Sequence, residues 1–270
     1  MSWELYLGGN SIGDAGATQL ADALRANTSV NKLFLGGNSI GDAGATQLAD
    51  ALRTNTSVKE LYLGGNSIGD AGATQLADAL RANTSVKLLY LSDNSIGDAG
   101  ATQLADALRT NSRSGLAWLR LDDNKSIGEA GATQLADALR TNTSVKTLGL
   151  SGCKIGEAGA RQLADALRTN TSVEELDLFA PIPRCMGISD ATLALVQRLL
   201  VWEARVLRRR DLAWRRRRVL CLCLHAAAAR RLATVSPPQK MARLMMRPAR
   251  VALLLLRLPP DTWRGVFAYL

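Results

Sequence analysis

The cysteines and the single histidine are the first candidates for chemistry, because thiols and imidazoles hold metal ions and act as nucleophiles or bases. Cys221, Cys223 and His225 stand together in the segment Cys-Leu-Cys-Leu-His. A zinc site usually needs four ligands, with its paired cysteines separated by two to four residues. Here a single residue separates the cysteines and no second ligand pair follows, so we expect neither a metal nor another cofactor.

The other polar residues offer no catalytic arrangement. With one histidine in the chain, little material exists for a Ser-His-Asp triad, and no phosphate-binding GxxxxGK[ST] segment occurs. The triplet Gly8-Gly9-Asn10 is typical of a turn rather than of a dinucleotide loop. Carboxylates such as Asp14 and Asp42 recur in the same sequence context along the chain, which indicates helix capping rather than a unique acid–base pair. We therefore expect no enzyme and no small-molecule substrate.

The charges divide the chain into two parts. Residues 1–178 carry 15 Lys and Arg against 20 Asp and Glu, a net charge of −5, whereas residues 179–270 carry 18 against 4, a net charge of +14. Seven arginines fall within eleven residues of the second part: Arg208, Arg209, Arg210, Arg215, Arg216, Arg217 and Arg218. Such a run favours nonspecific binding of nucleic acid or an anionic membrane surface. A solvated helix face, a nuclear address or a docking surface for the acidic part are the alternatives.

A repeating unit must position any functional residue in the first part. The segment Leu5–Lys32 returns at Leu33–Glu60 with four differences, and further copies begin at Leu61, Leu89, Leu119 and Leu148. The period, which is the spacing from Leu5 to Leu33, lengthens by two residues around Ser112–Gly115 and by one residue at Lys125. A degenerate seventh copy begins at Leu176. Self-similarity at this period is typical of solenoid proteins.

Each copy combines a strand pattern with a helix pattern. Val30-x-x-Leu33-x-Leu35 predicts a short strand with one face inward, and a helix follows from Asp42 to about Arg53. Gly44, Leu48, Ala51 and Leu52 share one face of that helix. We expect Asp42 to cap the helix N-terminus and Asn55 to end the helix in a left-handed conformation.

The fold follows because no copy can bury its apolar face alone. Strand must stack on strand and helix on helix, and strands need about 4.8 Å of spacing where helices need about 10 Å. The sequence therefore predicts an α/β horseshoe solenoid, with parallel strands on the concave face and helices on the convex face. Residues 1–200 form it, with the seventh copy as a cap, and residues 201–270 form a basic helical tail. No such cap precedes the first copy, so either that copy is exposed or the chain is a fragment.

The pattern LxLxxNxIGxxGAxxLAxALxxNxS resembles the ribonuclease-inhibitor-like leucine-rich repeats, over residues 3 to about 200. That family includes Ran GTPase-activating proteins and the sensing end of NOD-like receptors. The resemblance implies a leucine-rich-repeat solenoid that binds a partner, and it leaves regulation of a small GTPase or a receptor fragment as alternatives. In this family the residue after each strand is Asn or Cys, whose side chain satisfies backbone groups. Here these residues are Asn10, Asn38, Asn66, Asn94, Asn124 and Cys153.

The informative surface is the concave one, because its residues are not needed for the core. Between the buried leucines the strands present Tyr6, Phe34, Tyr62 and Tyr90, followed by Arg120, and the adjacent column includes Trp118. Aromatic side chains bring large contact area at small entropic cost. We predict that these six residues bind a protein partner. The alternative is that aromatic residues favour strands and stack on their cross-strand neighbours.

Three features bear on location and on the end of the chain. Met1-Ser2-Trp3-Glu4 does not open a secretory signal. The longest apolar runs, at residues 219–224 and 251–256, are shorter than the roughly 20 residues of a membrane span. The four cysteines form no disulfide framework. We therefore expect an intracellular protein, cytoplasmic or nuclear. Residues 258–270 also resemble the opening helix of an F-box, although the match covers only the start of that motif.

Overall fold

A computed structural model describes residues 3–110 and 115–178, together with Thr192, Leu195 and Val196. Strands and helices alternate along the chain. The strands are β1 (Trp3–Tyr6), β2 (Val30–Phe34), β3 (Glu60–Tyr62), β4 (Leu88–Tyr90), β5 (Trp118–Arg120), β6 (Thr147–Gly149) and β7 (Glu175–Asp177). The helices are α1 (Gly13–Ala26), α2 (Asp42–Thr54), α3 (Asp70–Ala82), α4 (Asp98–Thr110), α5 (Glu129–Leu139) and α6 (Gly156–Ala166).

The seven strands form one open parallel sheet in chain order. Equivalent residues of successive copies are paired, as Leu33 is with Leu61 and Leu61 with Leu89. This register is retained at β5 and β6, although the spacing between copies has lengthened there. The predicted α/β solenoid is confirmed.

The core lies between the sheet and the row of helices. Leu33 and Leu35 are fully buried on the strand side, and Leu48, Ala51 and Leu52 are buried on the helix side. A buried leucine stabilises the fold by about 1.5–3 kcal/mol, so the stacked leucines supply most of the hydrophobic free energy. The small residues Gly44, Ala45 and Ala49 are also buried. They bring α2 close to the neighbouring helices.

The carboxylates at the helix starts correct one prediction. Asp42 does not cap its own helix, whose N-cap is Gly41 and has no side-chain cap. Instead, its Oδ1 accepts the backbone N–H groups of Gly69 (2.7 Å) and Gly72 (2.8 Å), which belong to the next copy. Asp14, Asp70 and Asp98 repeat the arrangement. Each carboxylate therefore caps the helix that follows it in the stack.

Gly72 shows why glycine recurs in the first turn of the helices. A Cβ on this residue would lie 2.7 Å from Asp42 Oδ1 and 2.9 Å from Ile68 Cγ2. Contacts this short are repulsive, so only glycine lets the carboxylate approach its two N–H donors. The repeated IGDAGA segment thus encodes both partners of a contact between copies.

Asn55 also differs from its prediction. Its backbone is extended, with φ −74° and ψ 125°, and is not left-handed. Its side chain donates to the carbonyls of Leu24 and Asn27 in the preceding copy, and its Oδ1 accepts from Ser57 N and Val58 N. Because the buried side chain holds both loops, the backbone has no need of a left-handed turn. Asn55 therefore has a structural role between two copies.

The asparagines after the strands form another row of polar contacts between copies, as the sequence predicts. Asn38 donates through Nδ2 to the carbonyls of Leu7 and Leu35. Its Oδ1 accepts from the N–H groups of Asn10 and Ile12. In the sixth copy the buried Cys153 replaces asparagine and donates through Sγ to Leu121 O at 3.3 Å. Within the described residues no buried side-chain nitrogen or oxygen lacks a hydrogen-bond partner.

Part of the degenerate seventh copy packs on the sixth. Thr192, Leu195 and Val196 are helical, and Val196 is buried in the core. The hydroxyl of Thr192 donates to Glu157 of α6. Whether residues 176–200 act as a cap stays a prediction, because the remaining residues of 179–200 and the predicted tail 201–270 lie outside the described residues. No helix in the described ranges is long and apolar enough to cross a membrane.

Replacing Asp42 by alanine tests the cap between copies. The change removes the acceptor of two N–H groups at the start of α3, so we expect a loss of about 0.5–2 kcal/mol in the free energy of unfolding. Asp50→Ala is the matched control on the same helix, because within the described residues the half-exposed Asp50 pairs only with Arg53 at the surface. We expect it to cost at most about 0.5 kcal/mol. Urea unfolding followed by circular dichroism measures both, and equal losses would contradict the cap.

Candidate functional site

The open face of the sheet, opposite the helices, carries two columns of side chains. The aromatic column comprises Tyr6, Phe34, Tyr62 and Tyr90, which are paired along neighbouring strands and lead to Arg120. The flanking column, two residues earlier on each strand, comprises Glu4, Lys32, Glu60, Leu88 and Trp118. Parallel register places side chains of one column about 4.8 Å apart, so neighbours in a column are in contact.

The rings of the aromatic column stack on one another, as the alternative interpretation predicts. The ring centroids of Tyr6 and Phe34 are 4.4 Å apart with planes at 7°, and those of Phe34 and Tyr62 are 4.3 Å apart at 11°. Tyr90 departs from this order, with its centroid 6.0 Å from that of Tyr62 and a tilt of 35°. Stacking does not bury the rings fully, since Tyr6 remains 65% exposed and the other three are half-buried.

The flanking column fixes the phenol groups. Tyr6 donates its hydroxyl to Glu4, and Tyr62 donates to Glu60 Oε2 at 2.8 Å. Burial and then the bond to Glu60 raise the pKa of Tyr62 to about 12, and the bond to Glu4 raises the pKa of Tyr6. Lys32 lies between Glu4 (3.1 Å) and Glu60 (3.7 Å). Both phenols therefore stay protonated at neutral pH, and Glu4, Lys32 and Glu60 together carry a net charge of −1.

A groove of about 670 Å³ opens on the sheet face where the stacking is broken. Phe34, Tyr62 and Tyr90 line it on one side. Gly64 makes room for the tilted ring, because a Cβ there would lie 2.5 Å from Tyr90 Cε1. The groove thus depends on the glycines that follow the early strands, and its lining also includes Gly8, Gly36, Gly65, Ser92, Asp93, Arg120, Asp122, Asp123, Ser151 and Asp177.

An ion-paired cluster forms the far wall of the groove. Arg120 Nε donates to Asp122 Oδ2 at 2.7 Å, and its Nη2 donates to Asp177 Oδ2 at 3.3 Å. Asp122 is buried and also accepts from Ser92 Oγ and Ser151 N. Burial alone would lower the pKa of Arg120, but the nearby carboxylates raise it on balance. Gly149 is required here, since a Cβ would lie 2.4 Å from Asp122 Oδ2.

Two further carboxylates stand at the rim. Asp93 and Asp123 are exposed, and both have a left-handed backbone, with φ of 55° and 57°. Glycine occupies the equivalent turn position in the first three copies and in the sixth, as Gly9, Gly37, Gly65 and Gly152. Asp93 N–H donates to Asp122 O at 2.8 Å, so the two turns lie side by side. Among the described residues neither rim carboxylate has a hydrogen bond or an ion pair.

The six predicted binding residues do not form a single cluster. Phe34, Tyr62, Tyr90 and Arg120 line the groove, whereas Tyr6 lies at the outer end of the stack. Trp118 is 44% exposed and belongs to the flanking column, beside Leu88 and Thr147. Whether any of the six binds a partner stays a prediction. The seven arginines at 208–210 and 215–218, the segment 221–225 and the F-box-like segment lie outside the described residues.

Sequence reasoning does not assign Ser92, Asp93 or the glycines of the groove to a site. Their signal is a departure from the repeat, since the pair Gly64-Gly65 becomes Ser92-Asp93 in the fourth copy and Asp122-Asp123 in the fifth. In the described part of the chain no three His, Cys, Asp or Glu side chains stand close enough together to hold a metal ion. The arrangement offers contact surface and charge.

Comparison with known proteins agrees with the repeat. A family model described as Leucine Rich repeat matches residues 4–21, 26–49, 54–77, 82–105 and 141–164. These matched segments are leucine-rich repeats. The match is interrupted at residues 106–140, where the repeat spacing is longer. No curated protein sequence matches the chain.

Two solved structures have a similar backbone. Leiomodin-1 actin-binding site 2 is 16% identical with a TM-score of 0.44, and the match covers 70% of this chain and 88% of that one. The C-terminal domain of Caenorhabditis elegans tropomodulin is 12% identical with a TM-score of 0.45, covering 71% and 95%. Neither similarity assigns a function to the leucine-rich-repeat chain.

Cys153 allows a test of how tightly the repeats are packed. Burial raises the pKa of its thiol to about 12, so only about one molecule in 10,000 carries the thiolate at pH 8. We expect no alkylation of Cys153 by iodoacetamide in the native protein and rapid alkylation in urea, followed by mass spectrometry of the Cys153 peptide. Rapid native labelling with a pH midpoint near 9 would contradict the buried position.

Proposed function

We propose that this leucine-rich-repeat protein is a non-catalytic, intracellular binding scaffold that holds a protein partner on the open face of its sheet. One observation carries the proposal: the aromatic column leads directly into the groove at Tyr90. The rings form a continuous apolar strip with exposed edges. Contiguous apolar surface of this kind is typical of interaction sites rather than of ordinary solvated surface.

The energetics favour this face as a contact surface. The rings are held by stacking, and the hydroxyls of Tyr6 and Tyr62 by their glutamates. Little side-chain entropy is then left to lose on binding, and such pre-organisation increases affinity. The helix row offers a contrasting surface, where Asp–Arg pairs three residues apart recur on the exposed side. That surface is polar and provides no apolar anchor.

Alanine substitution of the six predicted residues tests the proposal. The variant replaces Tyr6, Phe34, Tyr62, Tyr90, Trp118 and Arg120, and affinity capture with quantitative mass spectrometry compares it with the parent chain. We expect proteins captured by the parent to be lost, because aromatic anchors typically contribute more than about 1 kcal/mol each to binding. Far-ultraviolet circular dichroism should be unchanged, since no main-chain ladder depends on these side chains.

A matched control carries six alanine substitutions on the helix row: Gln19, Asp22, Arg25, Gln47, Asp50 and Arg53. This control should retain the partners that the sheet-face variant loses. If the sheet-face variant keeps them, or if only the helix-row variant loses them, then the binding surface lies elsewhere.

Single substitutions locate the centre of the site. Tyr90→Ala removes a ring that lines the groove, whereas Trp118→Ala removes a ring outside it. We expect Tyr90→Ala to weaken the captured complex about tenfold or more and Trp118→Ala to have a smaller effect. Titration of a partner identified by the capture experiment measures both. A larger effect at Trp118 would move the site from the groove to the flanking column.

A further inference from the structure

The groove is acidic as well as aromatic, and this limits what can occupy it. Its lining contains four carboxylates, from Asp93, Asp122, Asp123 and Asp177, and one cationic side chain, Arg120. Upstream on the same face Glu4, Lys32 and Glu60 carry a net charge of −1, against −3 for the side chains that line the groove. Negative charge is therefore concentrated where the groove opens.

Arg120 is already ion-paired with carboxylates of the groove wall. Its guanidinium contacts Asp122 and Asp177, and the formal charges of these three side chains sum to −1. An anionic ligand would meet this excess of negative charge, and phosphates would be repelled by the rim. The two rim carboxylates, Asp93 and Asp123, add a further −2 where solvent reaches them.

The rim carboxylates of Asp93 and Asp123 differ from ordinary surface carboxylates in their position within the turn. In neighbouring copies the same turns carry glycine, as Gly65 and Gly152, so the carboxylates are additions to the repeat at two of the turns beside the groove. Tyr90 lines the same groove as these two carboxylates. Aromatic rings attract cations over their faces, and lysine and arginine pack their alkyl chains along apolar surface while their charged ends reach polar groups.

We propose that the groove binds an extended segment of a protein partner through a lysine or arginine side chain of that segment. The alkyl part of this side chain packs on Tyr90, and its charged end pairs with Asp93 and Asp123. This proposal rests on the proposed function and specifies the chemistry of the partner. The rings supply contact area, while the carboxylates select basic segments over neutral ones.

The test uses the full chain and two fluorescein-labelled twelve-residue peptides that differ only in having Lys or Gln at alternate positions. We expect the Lys peptide to bind about tenfold more tightly, judged by fluorescence anisotropy, and to weaken as NaCl is raised. Asp93→Asn with Asp123→Asn removes the charge and keeps the shape, and should lower the affinity for the Lys peptide about tenfold. Asp93→Gly with Asp123→Gly should do the same.

Stability separates binding from folding in this test. Glycine is the better residue at a positive φ, so the double glycine variant should unfold at an equal or higher urea concentration while it loses binding. Ser39→Gly is the matched control, since Ser39 also has a positive φ of 55° but does not line the groove. It should leave peptide affinity unchanged. Equal affinity of the parent and both double variants for the Lys peptide, or no preference for Lys over Gln, would overturn the proposal.

The outcome also distinguishes this proposal from the function on which it rests. One outcome is that capture of partners depends on Phe34, Tyr62 and Tyr90 while the chain binds the Lys and Gln peptides with equal affinity. In that case the sheet face binds proteins but does not select basic segments. If binding of the Lys peptide requires Asp93 and Asp123 while capture of partners is unchanged without the aromatic rings, the groove selects basic segments. The broader proposal, that the aromatic face holds the partner, is then wrong.

Discussion

The carboxylate that each of the first four copies extends to the next helix is the contact on which this part of the solenoid depends. The first N–H groups of a helix have no partner within it, and here Asp42 supplies one from the neighbouring copy. Asn38 and Asn55 do the same for the turn and the loop. Apolar burial drives the copies together, but it tolerates slippage. These directional bonds fix each copy in register with its neighbours.

Because these contacts between copies do not use the side chains of the open sheet face, those side chains are free to vary. The residues that hold the stack either point into the core or make the polar contacts between copies, as Asp42, Asn38 and Asn55 do. None of them belongs to the aromatic or flanking column. Tyr62 can therefore be followed by Tyr90 and then by Arg120 at the same register position without loss of the strand pairing. A binding surface can be assembled by changing side chains that the fold does not use.

Local patterns in the sequence are sufficient for the strands, the helices and the assignment of residues to the core or the open face. They fail where a contact joins two copies. Capping rules describe neighbours in sequence, so they assign Asp42 to its own helix, and they predict a left-handed Asn55 because it ends a helix. In both cases a partner in the neighbouring copy satisfies the group instead. The groove escapes sequence reasoning for a related reason, since its shape depends on the absent side chain of Gly64 beside Tyr90.

The departures from the repeat explain why most of the charged residues of the groove lie in the fourth and fifth copies. A side chain at a left-handed position costs roughly 1 kcal/mol relative to glycine, so Asp93 and Asp123 do not improve the turn that they occupy. Arg120, which ends the row of rings, needs the buried Asp122 as a partner and the missing side chain of Gly149 for space. Tyr90 can tilt because Arg120, not another ring, follows it. These changes depend on one another, and together they convert a uniform stack of rings into a grooved, charged surface.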